Sequence, residues 1–441
     1  MDPFMIGIIG IIVLIVLLAL GVHIAVVLAV VGLFGIAAIV GGIKPAAITA
    51  VNTIYYKATA WNLLTVPCFI LMGFVAAGGG VNIRLYELLR LWVGKIKAGL
   101  GIATVLGCAG FGAVCGSSLV TSSVFARVSA PEMRRYGYDR KLAYGICAGA
   151  GIIGMMIPPS VLAIVYGMLS GLSIGELLMA GIGPGLLLTV LFSIGLVIIG
   201  RMRPNLMTVP ATANVTWRQR FAAIPPIWPV IIVAAVMFGG IFTGVFSPTE
   251  AAAVATFAIL VIVLISRPGR RMESILPAFR DSASSIAMVF LILCCAQVFA
   301  TFLAISGLSG KAVDYMLTLD IPPLAFVGLF ILLYLALGTV IDSISMFAIT
   351  IPIVTPVITS LGLDPIWFAM VAIVSSQIGT ITPPMGFCVF AAKAVAESDV
   401  STEDVFAGSL PFFFMELAVL GIMIAFPTIS TFFPSLMVKP V

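Results

Sequence analysis

Ile157-Pro158-Pro159-Ser160 in the first half of the chain and Thr382-Pro383-Pro384-Met385 in the second decide the fold. The two double prolines stand 225 residues apart (383 − 158), and the same offset places Gly137-Tyr138-Asp139 on Gly362-Leu363-Asp364 and Pro131 on Pro356. Farther on, Ala180-Gly181 and Pro184 meet Ala407-Gly408 and Pro411 at an offset of 227 (411 − 184). Proline removes a backbone donor and clashes with the preceding turn. Each pair therefore breaks an apolar helix and frees carbonyls that another group must satisfy. Helix breaks at equivalent places in two halves are the sequence mark of a secondary transporter's binding site.

Of the 441 residues, 62% are hydrophobic and 9% charged, against about 25% charged in an ordinary soluble domain. Apolar runs near 4–20, 22–42, 61–78, 181–200, 226–246, 251–266, 283–305 and 411–430 each suffice to cross a hydrocarbon core. They predict an all-α polytopic membrane protein embedded in the lipid bilayer, with no soluble domain between the runs. The first run has no basic leader and no small-residue cleavage site, so it reads as a retained helix. The net charge of +5 sits in short loops; it reports orientation, and no nucleic-acid partner is expected. Cys68, Cys108, Cys115, Cys147, Cys294, Cys295 and Cys388 lie in apolar stretches without metal-ligand spacing. They read as small buried hydrophobes rather than a disulfide framework.

Lys and Arg gather in four places: Arg84, Arg90, Lys95 and Lys97; Arg127, Arg134, Arg135, Arg140 and Lys141; Arg201, Arg203, Arg218 and Arg220; Arg267, Arg270, Arg271 and Arg280. The positive-inside rule puts all four in the cytoplasm. Only the apolar, Gly- and Ser-rich piece 98–126 separates the first two, and a single crossing would send them to opposite sides. A re-entrant hairpin with its tip at Gly116-Ser117-Ser118 reconciles them. Counting onward, 142–170 crosses outward through the first break, 181–200 returns, and the pair 226–246 and 251–266 leaves the chain inside again. The second unit then starts on the opposite side. The repeats are inverted, the second hairpin enters from outside, and both termini are periplasmic, with the acidic loop Glu397 to Asp404 inside.

The organisation read from the chain has N-terminal scaffold helices over 1–54 and a first repeat over 55–200, with its hairpin at about 99–126 and its break at 158–159. A linker with connecting helices follows over 201–282. The second repeat spans 283–430, with its hairpin at about 323–356 and its break at 383–384, and a tail covers 431–441. Segments 82–97 and 309–320, ahead of the hairpins, read as interfacial amphipathic arms.

Hydroxyls cluster where the backbone is expected to be non-helical. Ser117, Ser118, Thr121 and Ser122 at the first tip, with Ser343, Ser345 and Thr382 in the second half, form the candidate substrate-binding set. Their oxygens, with freed carbonyls, suit a small alkali cation or a substrate carboxylate facing half-helix N-termini. The same small residues also permit close helix packing, and the sequence leaves both readings open. Asp342 stands between Gly338 and Ser343 on an otherwise uncharged hairpin, which points either to a cation site or to a helix cap. Before the second break, Ser375, Ser376, Gln377, Gly379, Thr380 and Thr382 supply another row of oxygens. In the first repeat Gly149, Gly151 and Gly154 occupy that row, where backbone carbonyls would do more of the work.

Other motifs carry no chemistry. Gly149-Ala-Gly151-Ile-Ile-Gly154 matches a dinucleotide fingerprint but lies in an apolar helix with no strand before it. Gly171-Leu-Ser173-Ile-Gly175 matches a nucleophile elbow, yet the single histidine, His23, sits in the first helical pair and reads as interfacial or packed. No P-loop occurs. An integral-membrane enzyme would need a convergent acid–base set, and Asp342 and Glu416 are too few for one, so no enzyme is expected.

Gly116-Ser117-Ser118, Pro131-Glu-Met133 followed by Gly137-Tyr138, Ile157-Pro158-Pro159-Ser160, Pro184-Gly185, Ser247-Pro-Thr249-Glu250-Ala251-Ala252 and Thr382-Pro383-Pro384 occur in this order over nearly the whole chain. In this it resembles the large membrane subunit of tripartite ATP-independent periplasmic (TRAP) transporters. The resemblance implies an elevator-type, sodium-coupled importer of carboxylates, such as a sialic acid or a C4-dicarboxylate, in a bacterial inner membrane. It implies as partners a small four-helix membrane subunit, expected as a separate polypeptide, and a periplasmic substrate-binding protein. It also implies sodium sites at Ser117 and Ser118 with Gly154 to Pro158, and at Gly338 to Asp342 and Ser343 with Gly379, Thr380 and Pro383. Sodium is then the transported coupling ion, with no organic cofactor. A stand-alone sodium/anion symporter of inverted-repeat type is the competing expectation.

Overall fold

Aspartates at equivalent positions of the two halves start the helices that run into the breaks. Asp139 Oδ1 accepts the Lys141 and Leu142 N–H groups at 2.9 and 3.3 Å, and Asp364 Oδ1 accepts those of Ile366 and Trp367 at 2.8 and 2.9 Å. Gly137 and Gly362 precede them with φ of 82° and 68°. The repeated Gly-x-Asp is thus a left-handed turn followed by an N-cap, which satisfies orphan donors at the helix start.

A computed structural model describes residues 2–207, 216–266, 271–318 and 322–438. Arg267 and Arg270 of the fourth basic cluster lie outside the described residues, as do 208–215 of the expected linker, 319–320 of the second amphipathic segment and the tail from 439.

The helices run in chain order. First come α1 (Pro3–Ala19), α2 (Ile24–Val40), α3 (Ile43–Ala58), α4 (Thr65–Gly78) and α5 (Val81–Val93). The first hairpin and broken helix supply α6 (Gly99–Cys115), α7 (Ser118–Val128), α8 (Ala130–Arg135), α9 (Arg140–Gly151) and α10 (Val161–Ser170). Then follow α11 (Ile174–Ala180), α12 (Ile182–Met202), α13 (Trp217–Ala222), α14 (Trp228–Phe242), α15 (Pro248–Ser266), α16 (Arg271–Ser306) and α17 (Leu308–Thr318). The second hairpin and broken helix supply α18 (Pro323–Gly338), α19 (Ser343–Ser360), α20 (Pro365–Gly379) and α21 (Phe387–Lys393), before α22 (Thr402–Ala425) and α23 (Thr428–Ser435).

Among the described residues six helices are long and apolar enough to cross a membrane: Trp61–Gly78, Ile174–Met202, Pro248–Ile265, Ile275–Ser306, Ser343–Ser360 and Thr402–Ala425. The expected run at 411–430 is displaced: its helix starts at Thr402, where Ser401 and Asp404 form a capping box, and stops at Ala425. His23 caps α2, accepting the Ala25 N–H at 3.4 Å, and stays exposed.

Leu14, Val27, Leu28, Ile36, Phe299 and Phe302 form the core of a scaffold of α1, α2, α3 and the latter half of α16. Helices α4, α15 and α14 extend it toward the broken helices. There the two repeats exchange partners. Helix α21, which follows the second break, packs on α7 of the first hairpin, and α10, which follows the first break, packs on α19 of the second. Reciprocal packing of this kind is what two repeats related by a two-fold axis produce, and it confirms the expected all-α fold of two repeats, each with a hairpin and a Pro-Pro break.

Glycines let these parts touch. A Cβ on Gly112 would stand 2.8 Å from the Gly154 Cα, and one on Gly379 would stand 2.5 Å from the Gly338 Cα. The two pairs are equivalent across the repeat. All seven cysteines are free, and Cys108, Cys115, Cys147, Cys295 and Cys388 are buried.

Charge gathers at one end. Arg134 pairs with Glu397 and, at 2.7 Å, with Asp399, while Arg140 and Lys141 reach Asp404 at 3.2 and 3.4 Å. The basic loop after the first hairpin and the acidic loop of the second half therefore share one face. The hydrogen bond from Arg134 holds the Asp399 carboxyl below its usual range.

Gly379→Ala should destabilise the protein by about 1–3 kcal/mol, because the new methyl meets backbone that cannot turn aside. Gly328→Ala, in open space on α18, should be neutral or stabilising by up to about 1 kcal/mol. Thermal melts of the two variants in detergent check the contrast, and equal melting temperatures would contradict it.

Candidate functional site: two hairpin tips on two helix breaks

Each tip is a place where one helix stops and another starts. At the first, α6 stops at Cys115, Gly116 turns with φ of 66°, and Ser117 caps α7, its Oγ accepting the Val120 N–H at 3.4 Å. A Cβ on Gly116 would lie 2.3 Å from the Pro159 carbonyl oxygen, so the tip backbone rests on the first break. The Gly116 carbonyl accepts the Val161 N–H at 3.3 Å. The second tip repeats this contact, the Thr339 carbonyl accepting the Met385 N–H at 3.1 Å. In both cases a carbonyl freed at a tip is satisfied by a donor freed at a break, as an interior without water requires.

The break itself differs from the sequence reading in one respect. The first helix leaves α-geometry at Ile152, through a 3₁₀ turn over Ile152–Met155, well ahead of Pro158. Both Pro158-Pro159 and Pro383-Pro384 are cis. The first break is buried, whereas Pro383, Pro384 and Met385 are exposed.

The sequence-derived residues assemble in two groups. Thr121 lies against Gly154, whose Cβ would stand 2.4 Å from the Thr121 Oγ1, and Ser122 lies against Gly151 and donates to the Ala148 carbonyl at 3.3 Å. Ser118, Thr121 and Ser122 are buried. Gly149 packs under the Phe412 ring, so Gly149 and Gly151 provide close approach. The Thr121 hydroxyl donates to the Ser117 carbonyl at 2.8 Å.

In the second group Asp342 is the N-cap of α19. Its Oδ2 accepts the Ile344 and Ser345 N–H groups, each at 3.1 Å, and the Ser345 hydroxyl donates to its Oδ1. Of the two sequence readings of Asp342, the capping contact is the one seen. Ser343 accepts from the Gln377 amide at 3.2 Å, and Thr380 and Thr382 donate to the carbonyls of Gln377 and Ile378, each at 2.7 Å. The Thr380 and Thr382 hydroxyls use their protons on carbonyls and keep lone pairs for a further partner.

Gln377, already in the sequence's row of oxygens before the second break, and Cys388, missed by the sequence reading, also stand at the seams. The Gln377 Oε1 is buried with no hydrogen-bond partner among the described residues; its signal was the single polar triplet Ser375-Ser376-Gln377 in α20. Cys388 donates to the Thr380 Oγ1 at 3.4 Å and also interacts with Ser118 and Ser122. It links the first hairpin to the second break, although composition alone marked it as filler.

A cavity of about 580 Å³ runs along the first hairpin's return arm, lined by Leu119, Ser123 and Arg127 with Asn82 on α5 and Asp281 on α16. A larger one of about 830 Å³, lined by Lys57, Asn62, Ser173, Glu250 and Gln297, touches none of the predicted site residues. The smaller one adjoins the hydroxyl cluster. Helices α7, α10 and α19 start at the tips and breaks, and their positive ends suit an anionic group. The C-termini of α6, α18 and α20 present carbonyls that suit a cation.

Comparison with known proteins gives this geometry a family. Residues 11–429 match the family model described as "Tripartite ATP-independent periplasmic transporter, DctM component". The sialic acid TRAP transporter large permease protein SiaM of Vibrio cholerae is 30% identical over 376 residues, covering 85% of this chain and 87% of that protein. The C4-dicarboxylate TRAP transporter large permease protein DctM of Pseudomonas aeruginosa is 31% identical over 376 residues, with 85% and 86% covered. Among solved structures, the YdaH transporter of Alcanivorax borkumensis, described as having an unusual topology, superposes with a TM-score of 0.65 at 17% identity, covering 87% of this chain and 88% of that one. That likeness speaks to the fold. The chain is a multi-pass transporter permease rather than an enzyme, and it belongs to the family of the DctM component of tripartite ATP-independent periplasmic transporters.

Proposed function

We propose that this chain is the translocating subunit of a sodium-coupled importer of an organic acid in a bacterial inner membrane. A periplasmic binding protein delivers the acid, and a small four-helix membrane subunit accompanies the chain. The observation that carries this reading is the pair of tip-on-break seams. Carbonyls and hydroxyl lone pairs converge there with half-helix N-termini, so one site offers oxygens to a cation and dipoles to a carboxylate. Family membership supports it, as do the names of relatives that carry acids, among them sialic acid and C4-dicarboxylates.

Sodium fits the donor set better than a transition metal. Among the described residues no three His, Cys, Asp or Glu side chains come together, whereas uncharged oxygens abound, and the unpartnered Gln377 Oε1 is one more. At the first seam Ser117, Ser118, Gly154 and Pro158 would hold one ion. At the second, Gly338, Asp342, Gly379, Thr380 and Pro383 would hold another. The hydroxyls of Thr121, Ser122, Ser343, Ser345 and Thr382 would face the substrate. Each seam lies within one repeat, and the packing of α21 on α7 and of α10 on α19 joins the two repeats, so the two seams would move as one body against the scaffold, which is an elevator motion.

Uptake by the complex reconstituted in vesicles should need an inward sodium gradient and be indifferent to ATP. Full uptake with sodium absent on both sides would sink the coupling, and full uptake by the chain alone would favour the stand-alone symporter.

Asp342→Asn keeps the cap, since Asn caps nearly as well as Asp, but removes a charge from the second seam. The variant should fold normally and require at least about tenfold more sodium for half-maximal uptake, equivalent to about 1.4 kcal/mol. A wild-type sodium requirement would leave Asp342 as a cap alone.

Orientation has its own test. Single cysteines near Lys97 and Arg135, in a cysteine-free background, should both react only from the cytoplasm. Labelling of one of them from the periplasm would turn the first hairpin into a full crossing, and the inverted-repeat reading would fail.

A further inference from the structure

Glu416 lies at the middle of α22, fully buried, and neither carboxyl oxygen has a hydrogen-bond partner among the described residues. Its position follows from how α22 packs on α9. Gly145 meets Gly408 and, one turn on, Gly149 meets Phe412, so the two helices run in parallel. One further turn puts Glu416 level with the 3₁₀ stretch Ile152–Met155, where α9 gives way to the first break. Helix α22 also packs on α21, which follows the second break.

Among the described residues, the neighbouring helices offer Glu416 no counter-charge. Cys388 on α21 interacts with it electrostatically, but a thiol is no cation. On α9, Tyr144 receives the Glu397 N–H and Cys147 bonds Ser129, while Arg140 and Lys141 at its start pair with Asp404. Lys393 and Arg201 sit in the last turns of α21 and α12, and α20 and α23 carry no titratable group. An ionised carboxylate in such a place has neither water nor an ion pair to replace its hydration, whereas a neutral acid loses only hydrogen bonds. Isosteric apolar residues would fill the position at no such cost, so the carboxyl calls for a use.

We propose that Glu416 is a proton-binding site of the transport cycle, protonated in this conformation and releasing its proton when the seam between the first break and α21 opens to water. On release the carboxyl O–H bond breaks, the proton passes to the admitted water, and the carboxylate left behind is solvated by that water. Reclosure requires the proton back. The ligand of this site is a proton, taken up and returned once per cycle. The cycling arm rests on the transport function proposed above; the protonation arm does not.

Infrared spectroscopy of the purified protein, in ordinary and heavy water at neutral pH, tests the protonation arm without any transport. The wild type should show the carbonyl band of a protonated carboxylic acid, and Glu416→Gln, which has the shape of the neutral acid, should lack it. Identical spectra would overturn the proposal. The cycling arm is read in weakly buffered vesicles holding a pH-sensitive dye. Substrate uptake by the wild-type complex should be accompanied by proton movement and vary with pH, and in Glu416→Gln both should be lost while the melting temperature is retained. Proton movement or a pH profile unchanged in Glu416→Gln would reduce the residue to a buried neutral acid and overturn its part in the cycle. A wild type that transports nothing, yet shows the band, would count against the transport function and not against the protonated carboxyl.

Discussion

Backbone carbonyls freed at membrane depth must find donors inside the protein, because the hydrocarbon offers none. This requirement governs the architecture. Gly116 and Thr339, at the two tips, pass their carbonyls to Val161 and Met385, just beyond the two breaks. Neither hairpin is complete without its break, and neither break without its hairpin. The glycine pairs Gly112–Gly154 and Gly338–Gly379 bring the backbones close enough for the exchange. A side chain at either pair would hold the two apart.

The same constraint explains why the repeats interlock rather than sit side by side. Each post-break helix packs on the opposite hairpin, α21 on α7 and α10 on α19. At the α10–α19 contact the Tyr166 and Phe347 rings meet edge to face at 5.5 Å, and Tyr334 beyond them bonds Thr350 within the second hairpin. The Cys388 interaction with Ser118, Ser122 and Thr380 ties the other. Polar contacts thus run from one repeat's tip to the other's break.

Charge is divided between rim and interior on a clear physical rule. At the rim, Arg134, Arg140 and Lys141 meet Glu397, Asp399 and Asp404 where water screens and solvates them. In the interior, Asp342 is supplied with two N–H donors and a hydroxyl, while the Glu416 carboxyl oxygens have no hydrogen-bond partner among the described residues.

What the sequence alone determined is the set of local decisions. The Pro-Pro breaks, the Gly-x-Asp helix starts, the hairpin arms around Gly116-Ser117-Ser118 and Gly338 to Ser343, and the apolar spans follow from backbone chemistry and hydropathy within a few residues, so they are legible in one dimension. Asp342 stayed open between cap and cation site, because the same carboxylate serves either until the direction of its neighbours' N–H groups is known. Tertiary structure alone decided which tip rests on which break, that α21 belongs with the first hairpin and α10 with the second, and that Cys388 stands at the seams. It also decided that the Glu416 carboxyl oxygens lack a hydrogen-bond partner among the described residues. Each of these depends on what residues far away in sequence bring to the same point, and hydrogen-bond satisfaction there is a property of the packed whole rather than of any segment.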